Sequence, residues 1–359
     1  MRIETAELLP YRLSLDPPMP LGAGTVETRH GFLVCLRAES GEMGWGECAP
    51  LPGFSRETIA DAADSVRSLA ESLNELSLDP RLFVDPSGPI HRALDAATPP
   101  PSVRYALDLA LWDLGAQSLA LSLAQAMHPD PAVALPLCAL LPTDPDAALA
   151  RARELAGAGW RAVKVKVGRG DPEADARLIA DLRRALGPGV EIRADANRAW
   201  GMDEAKAFAK GVAGADLGFV EEPLRDPASL PLLWMDTGLP IALDETVQIP
   251  QGEAFIRGWV SAVVLKPTLV GGIVQTLRLA GLARSVGARP VVSSAYESGV
   301  GMRGLVALAA ATGAEPAGLD TARAFTSDTL ATPLVIEGPF LDVPGLLPSE
   351  LTLADPIPA

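Results

Sequence analysis

From residue 162 to about 318, short apolar runs alternate with amphipathic stretches, and nearly every run ends on a charged or hydroxyl-bearing residue. Those ends are Lys166, Asp195, Glu221, Asp244, Lys266, Ser293 and Asp320, spaced 22 to 29 residues apart. A strand, a helix and their turns occupy about that length, so the spacing predicts parallel strands joined by helices. About eight such units predict an α/β fold closed into a (β/α)8-type TIM barrel. Strand ends of such a barrel open onto one mouth, where these residues are expected to converge.

The expected strands lie at 135–141, 162–167, 190–195, 217–221, 240–244, 261–266 and 289–294, with a short one near Gly318. Helices are expected over 103–127, 144–158, 172–186, 203–213, 227–237, 250–257, 272–286 and 300–313. Residues 1–101 read as an α+β capping domain, with strands over 2–15 and 31–38 and a helix opening near Ser55. Residues 17–30, rich in Pro and Gly, read as a mobile loop suited to covering a site. The prolines at 99–101 mark a boundary. The barrel then spans 102–321, and 322–359 is expected to pack back on the first domain.

Within residues 162–167 lysines and valines alternate with period two, so Lys164 and Lys166 share one face of a strand. Neighbouring ammonium groups repel, which lowers the pKa of one or both and prepares a lysine to act as a base. A solvated edge strand would show the same pattern. Likewise Asp195, Glu221 and Asp244 read individually as turn or cap residues. Jointly they read better as a site, because lysine-bearing strands flank them on both sides. Three carboxylates gathered in one mouth need a cation between them, and hard oxygen donors without His or Cys suit Mg²⁺, with Mn²⁺ as a substitute.

Composition narrows the alternatives. A net charge of −15 argues against nucleic-acid and anionic membrane partners and leaves a small-molecule substrate. No apolar run reaches membrane-spanning length, and the first residues lack a signal-peptide layout. Three cysteines without C-x-x-C spacing read as reduced thiols in a cytoplasmic protein. Three scattered histidines leave the chemistry to lysines and carboxylates. Oligomeric state is not written in these features. The run Gly299-Val300-Gly301-Met302-Arg303-Gly304 fits a nucleotide fingerprint but falls late in a repeating barrel. Two readings of its glycines stand: helix N-terminal amides open to a substrate carboxylate, or close packing of helix on strand.

The K-x-K strand, D-A-N, E-E-P, D-E and L-K-P elements together resemble the enolase superfamily in order and spacing. The resemblance implies Asp195, Glu221 and Asp244 as metal ligands and Lys164, Lys166 and Lys266 as catalytic residues. A narrower likeness, to the o-succinylbenzoate synthase family of menaquinone biosynthesis, rests on Gly44-Trp45-Gly46-Glu47, Ser293-Ser294 and Gly318-Leu319-Asp320-Thr321. Gly299 stands where that pattern expects a second serine, and loop 17–30 has no match. The resemblance implies dehydration of succinyl-hydroxycyclohexadiene carboxylate through a metal-stabilised enediolate, with Lys166 as base. Substrate contacts are then expected at Asn197, Ser293, Ser294, Gly299, Gly301 and Arg29. The rivals are an N-acylamino acid racemase or dipeptide epimerase on the same barrel, or a non-catalytic binding protein. Gly318, where dipeptide epimerases carry the first Asp of D-x-D, weakens the epimerase.

Overall fold

The computed structural model describes all residues except 22, 23, 75, 314, 347–350, 356 and 359. The strands β1 (Ile3–Leu21), β2 (Gly24–Ala38) and β3 (Met43–Cys48) form an antiparallel sheet in chain order. Pairing of β1 with β2 continues to their ends, so residues 17–21 and 24–30, expected as part of a loop, extend the two paired strands instead. A register shift between Ser14 and Met19 absorbs Pro17 and Pro18, which have no N–H to give a ladder. Beyond it Met19 is buried against Leu15, Leu51, Leu269 and Ala295, which anchors the end of β1 on the barrel side.

The first helix runs Ile59–Leu73 and starts at Thr58, which shares a capping box with Asp61. Ser55, expected near that start, instead accepts the Leu51 amide at 2.8 Å. The next long helix, Pro101–Ser118, lies buried under β3. Two glycines allow that approach. A Cβ on Gly44 would sit 2.1 Å from the Ala110 carbonyl oxygen, and one on Gly46 would sit 1.9 Å from that of Ala106. The single helix expected over 103–127 is broken, because Ala120 takes a positive φ of 54° and Ser122 caps a separate helix, Leu123–Met127.

Eight further strands follow: β4 (Ala134–Pro136), β5 (Cys138–Leu140), β6 (Ala162–Lys166), β7 (Glu191–Asp195), β8 (Leu217–Glu221), β9 (Ile241–Leu243), β10 (Val260–Leu265) and β11 (Arg289–Val292). β5 to β11 pair in parallel in chain order as a curled seven-stranded sheet. An eighth stave is only two residues long. The Ala317 amide donates to Pro136 and its carbonyl accepts from Cys138, while Gly318 exchanges bonds with Val292 and Ser294, all at 2.9–3.0 Å. These bridges join β11 back to the start of the sheet. Phe219, Ala242, Ala262, Val264 and Val291 cluster as one buried layer.

One unit of the repeat lacks its α-helix. Residues 250–257, expected as a helix, follow β9 with two 3₁₀ turns, Glu245–Gln248 and Gly252–Phe255. The segment folds back on itself so closely that a Cβ on Gly252 would sit 1.8 Å from the Thr246 carbonyl oxygen. After the barrel, β12 (Phe340–Asp342) pairs antiparallel with β4. Leu351, Leu353 and Ile357 pack beside Tyr11, Leu13 and Leu33, so the last segment touches both the cap sheet and the barrel. Among the described residues no helix is long and apolar enough to cross a membrane.

Because β3 and the helix under it meet through backbone, Gly46→Ala should force them apart. Overpacking of that kind typically costs about 1–3 kcal/mol. A lowered midpoint in thermal unfolding is expected, and an unchanged one would show that the contact yields freely.

Candidate active site

In β6 the valines are buried in the layer outside the barrel, so the alternation turns Lys164 and Lys166 to its interior. Register does the rest. Lys166 pairs across from Asp195, and Asp195 from Glu221, placing three charged strand ends in one row. Asp244 follows β9 and Lys266 follows β10. The Lys164 ammonium lies 3.2 Å from Asp195 Oδ2 and 3.1 Å from Glu221 Oε2. Lys166 reaches Asp195 Oδ2 at 2.7 Å and also donates to Asn197 Oδ1. Lys266 reaches Asp244 Oδ2 at 2.5 Å. Three lysines and three buried carboxylates thus interleave.

Burial and charge act against each other here. Burial opposes the charge on Lys164, yet Glu221, Asp195 and Asp244 outweigh it and hold its pKa well above the ordinary value. The expected lowering by lysine–lysine repulsion is therefore overruled at Lys164 by the charges of Glu221, Asp195 and Asp244. Lys266 is likewise raised, by Asp244 above all, against burial and the Lys164 charge. Burial would raise Asp195, but Lys166 and Lys164 hold it far below the carboxylate range. Glu221 goes the other way, to about 7, because burial and then the charges of Asp195 and Asp244 exceed the help from Lys164.

Further polar residues brace this row, and of these only Asn197 was expected at the site from sequence. Glu222, fully buried, accepts the amides of Asp244 and Thr246 at 2.8 and 2.7 Å, the Thr246 hydroxyl at 2.8 Å and Arg198 Nε at 3.0 Å. Gln248 donates to Asp244 Oδ1 at 2.9 Å. Asn197 donates through Nδ2 to Glu245 Oε1 at 2.9 Å, and its amide donates to Asp195 Oδ1 at 3.1 Å. Asn197, Arg198 and Glu222 all adopt positive φ, a strained conformation that persists where surrounding contacts impose it. The second Glu of E-E-P was the available signal for Glu222.

The remaining candidates divide. Ser293 and Ser294 both donate to the Gly318 carbonyl, at 3.2 and 3.1 Å, and Ser294 also meets the Thr321 hydroxyl at 2.5 Å. Gly299 and Gly301 do open the helix Gly299–Ala311, but the protein fills that N-terminus with its own carboxylates. The Gly299 amide donates to Asp328 at 2.7 Å; Glu47 takes Gly301 N at 2.7 Å and Ser298 N at 2.8 Å. A Cβ on Gly301 would sit 2.8 Å from Glu47 Oε2. Close packing accounts for these glycines, and the substrate-anion reading gives way. Arg29 is buried and bonds the carbonyls of Ala49, Pro50 and Tyr296, bridging cap and barrel rather than standing free for substrate. Asp320 accepts the Leu140 amide at 3.0 Å and pairs with Arg323.

Among the described residues no three His, Cys, Asp or Glu side chains are gathered closely enough to hold an ion as they stand, because lysines lie between the carboxylates. The donor chemistry still fits a hard divalent cation: three buried carboxylates on successive strands, with Glu221 raised by burial and by the charges of its two neighbours. A cation at that point would relieve the repulsion.

Glu222→Ala would leave several buried donors without a partner, each costing about 1–3 kcal/mol. A drop of at least about 3 kcal/mol in urea-unfolding stability is expected, together with weaker activity as Asp244 loosens.

Residues 147–347 match the family described as enolase C-terminal domain-like, and residues 3–114 match MenC, N-terminal domain. An o-succinylbenzoate synthase of Proteus mirabilis is 32% identical over 314 residues, covering 86% of each chain. Another, from Yersinia enterocolitica, is 34% identical over 324 residues, covering 89% of this chain and 90% of its own. A solved dipeptide epimerase of Enterococcus faecalis, complexed with Mg and L-Leu-L-Tyr, aligns with a TM-score of 0.85. It covers 96% of this chain and 97% of its own, and at 24% identity the likeness is one of fold. With the cap and barrel both matched, and relatives above 30% identical along most of its length, the chain belongs to the o-succinylbenzoate synthase family of the enolase superfamily.

Proposed function

We propose that this chain is a hydro-lyase that dehydrates succinyl-hydroxycyclohexadiene carboxylate to o-succinylbenzoate, in the cytoplasm and as a step of menaquinone biosynthesis. The interleaved lysines and carboxylates at the barrel mouth carry this reading, beside the family membership. Asp195, Glu221 and Asp244 would hold Mg²⁺, with Mn²⁺ as a substitute. When bound, the cation supplies positive charge where the substrate carboxylate becomes more negative.

Lys166 is the most exposed of the three lysines, its side chain 33% accessible against 14% for Lys164 and 12% for Lys266, and so the one placed to take a proton from substrate. It removes the proton beside the ring carboxylate and returns it to the departing hydroxyl. One C–H and one C–O bond break, a ring double bond forms, and water leaves. Lys164 stays charged between Asp195 and Glu221 and keeps positive potential near Lys166. Lys266 faces the substrate from the opposite side of the row as a fixed cation. Asn197, Ser293 and Ser294 remain the candidate substrate contacts.

The epimerase alternative is disfavoured by packing as well as sequence. A Cβ at Gly318 would lie 2.6 Å from Ser293 Oγ, so the position for an ammonium-binding Asp is filled by a hydroxyl. Buried free thiols at Cys35, Cys48 and Cys138 support a reducing compartment.

A racemase needs a base on both faces of the substrate, whereas a one-face elimination needs only Lys166. Arginine keeps charge but is too weak an acid to serve as a proton shuttle. Lys266→Arg should retain measurable dehydration and exceed Lys266→Ala, while Lys166→Arg should lose nearly all. Equal, complete loss in both arginine variants would favour the racemase.

Metal binding should also depend on pH. Glu221 holds its proton up to about 7, and a ligand carboxylate must be ionised. Apparent Mg²⁺ affinity should therefore rise from pH 6 to pH 8 with proton release, measured by calorimetry in two buffers. Asp244→Asn should weaken binding at both values. Affinity independent of pH and of Asp244 would remove these ligands from the proposal.

A further inference from the structure

Lys266 has no strand on its C-terminal side to fix it. It follows β10 directly, and its carbonyl accepts the amides of Leu269 and Val270 at 2.8 and 2.9 Å, starting the single helical turn Pro267–Val270. The direction in which its side chain leaves the barrel wall depends on how that turn is rotated. Thr268, two residues on, is 1% exposed and donates its hydroxyl to Glu297 Oε1 at 2.6 Å. The other oxygen of Glu297 accepts the Ala295 amide at 2.6 Å, immediately after Ser293 and Ser294. One buried carboxylate thus ties the turn behind Lys266 to the loop behind the serine pair.

The far end of that loop is tied to the cap. Glu47 of β3 takes Ser298 N and Gly301 N, and it also accepts the Tyr11 hydroxyl of β1 at 2.6 Å and the Ser298 hydroxyl at 2.5 Å. Glu297 and Glu47 stand on either side of one peptide segment, both about 1% exposed and both raised by burial. Two buried carboxylates in such proximity are costly unless their hydrogen bonds do something the fold or the reaction requires. Neither touches the mouth, and the mechanism above uses neither.

We infer that Thr268 and Glu297 are positioning residues for Lys266: the hydroxyl-to-carboxylate bond sets the rotation of the 267–270 turn and with it the placement of the Lys266 ammonium beside Asp244. The inference rests on the proposed role of Lys266 at the substrate. Small displacements of a reacting group weaken catalysis far more than they weaken binding. Loss of the bond should therefore appear in kcat, while KM, governed by groups on other strands, stays in place.

The test uses the full-length, Mg²⁺-loaded enzyme and the dehydration assay, with Thr268→Val, Thr268→Ser and Lys266→Ala measured side by side. Valine keeps the shape of threonine without the hydroxyl, and serine keeps the hydroxyl. The expected result is a fall in kcat of about tenfold or more for Thr268→Val, with KM within about twofold and kcat restored to within about threefold by Thr268→Ser. Thermal unfolding of the two variants checks that both fold, and Thr268→Ala replaces valine if that variant does not. Lys266→Ala must itself lose most of kcat; if it does not, the role of Lys266 fails first. If Lys266→Ala loses activity while Thr268→Val keeps kcat within about twofold, or loses KM and kcat alike, the positioning inference is overturned and the role of Lys266 stands. Failure of serine to restore what valine loses overturns it as well, since packing rather than the bond would then be at work.

Discussion

The pairing of Lys166 with Asp195 and of Asp195 with Glu221 across neighbouring strands is the constraint on which the site depends. Parallel register puts like charges within a few ångströms unless opposite charges alternate with them, and at these burials repulsion would be severe. Lys164 between Asp195 and Glu221, and Lys266 against Asp244, supply that alternation. The arrangement is stable as a fold and also loaded for chemistry, because a divalent cation entering among the carboxylates would free the lysines from them. Burial and the charges of Asp195 and Asp244 outweigh the help Glu221 receives from Lys164 and raise it to about 7.

Support for this row comes from outside it. Glu222 gathers the backbone at Asp244 and Thr246, and Arg198 and Asn197 accept strained backbone, the Arg198 side chain bonding Glu222 and that of Asn197 bonding Glu245 and Lys166. The cap contributes differently. Glu47 and Arg29 cross from the antiparallel sheet to the loop after β11, one by accepting amides and the other by donating to carbonyls. The Glu47 bonds are buried and the Arg29 bond is part-buried, so polar groups largely out of water attach the cap. Met19 and Leu51 add an apolar seal beside Leu269 and Ala295.

Where local reading of the chain failed, a longer-range contact explains it. Prolines at 17, 18 and 20 look like a loop, yet the partner strand and the barrel surface hold that stretch extended. Residues 250–257 have a helix-like composition, but tight packing of Gly252 on Thr246 selects 3₁₀ turns. The glycines at 299 and 301 read from sequence as open to a substrate anion, but Asp328 and Glu47, 29 and 254 residues away, pack on them and take their amides. No window of sequence could pair those groups.

The sequence by itself determined the order of units, the strand faces and the identity of the charged strand ends, because period-two alternation and unit spacing are local properties of the chain. Lys164, Lys166, Asp195, Glu221, Asp244 and Lys266 were legible for that reason. Tertiary structure alone decided which charges touch, which buried carboxylate is held neutral, and which polar residues brace the site instead of meeting substrate. Those outcomes depend on distances between strands, on burial and on competition among several partners for one group. Arg29 shows the difference most clearly: a cation near a mouth reads as a substrate contact, and only the surrounding carbonyls reveal it as a bridge between cap and barrel.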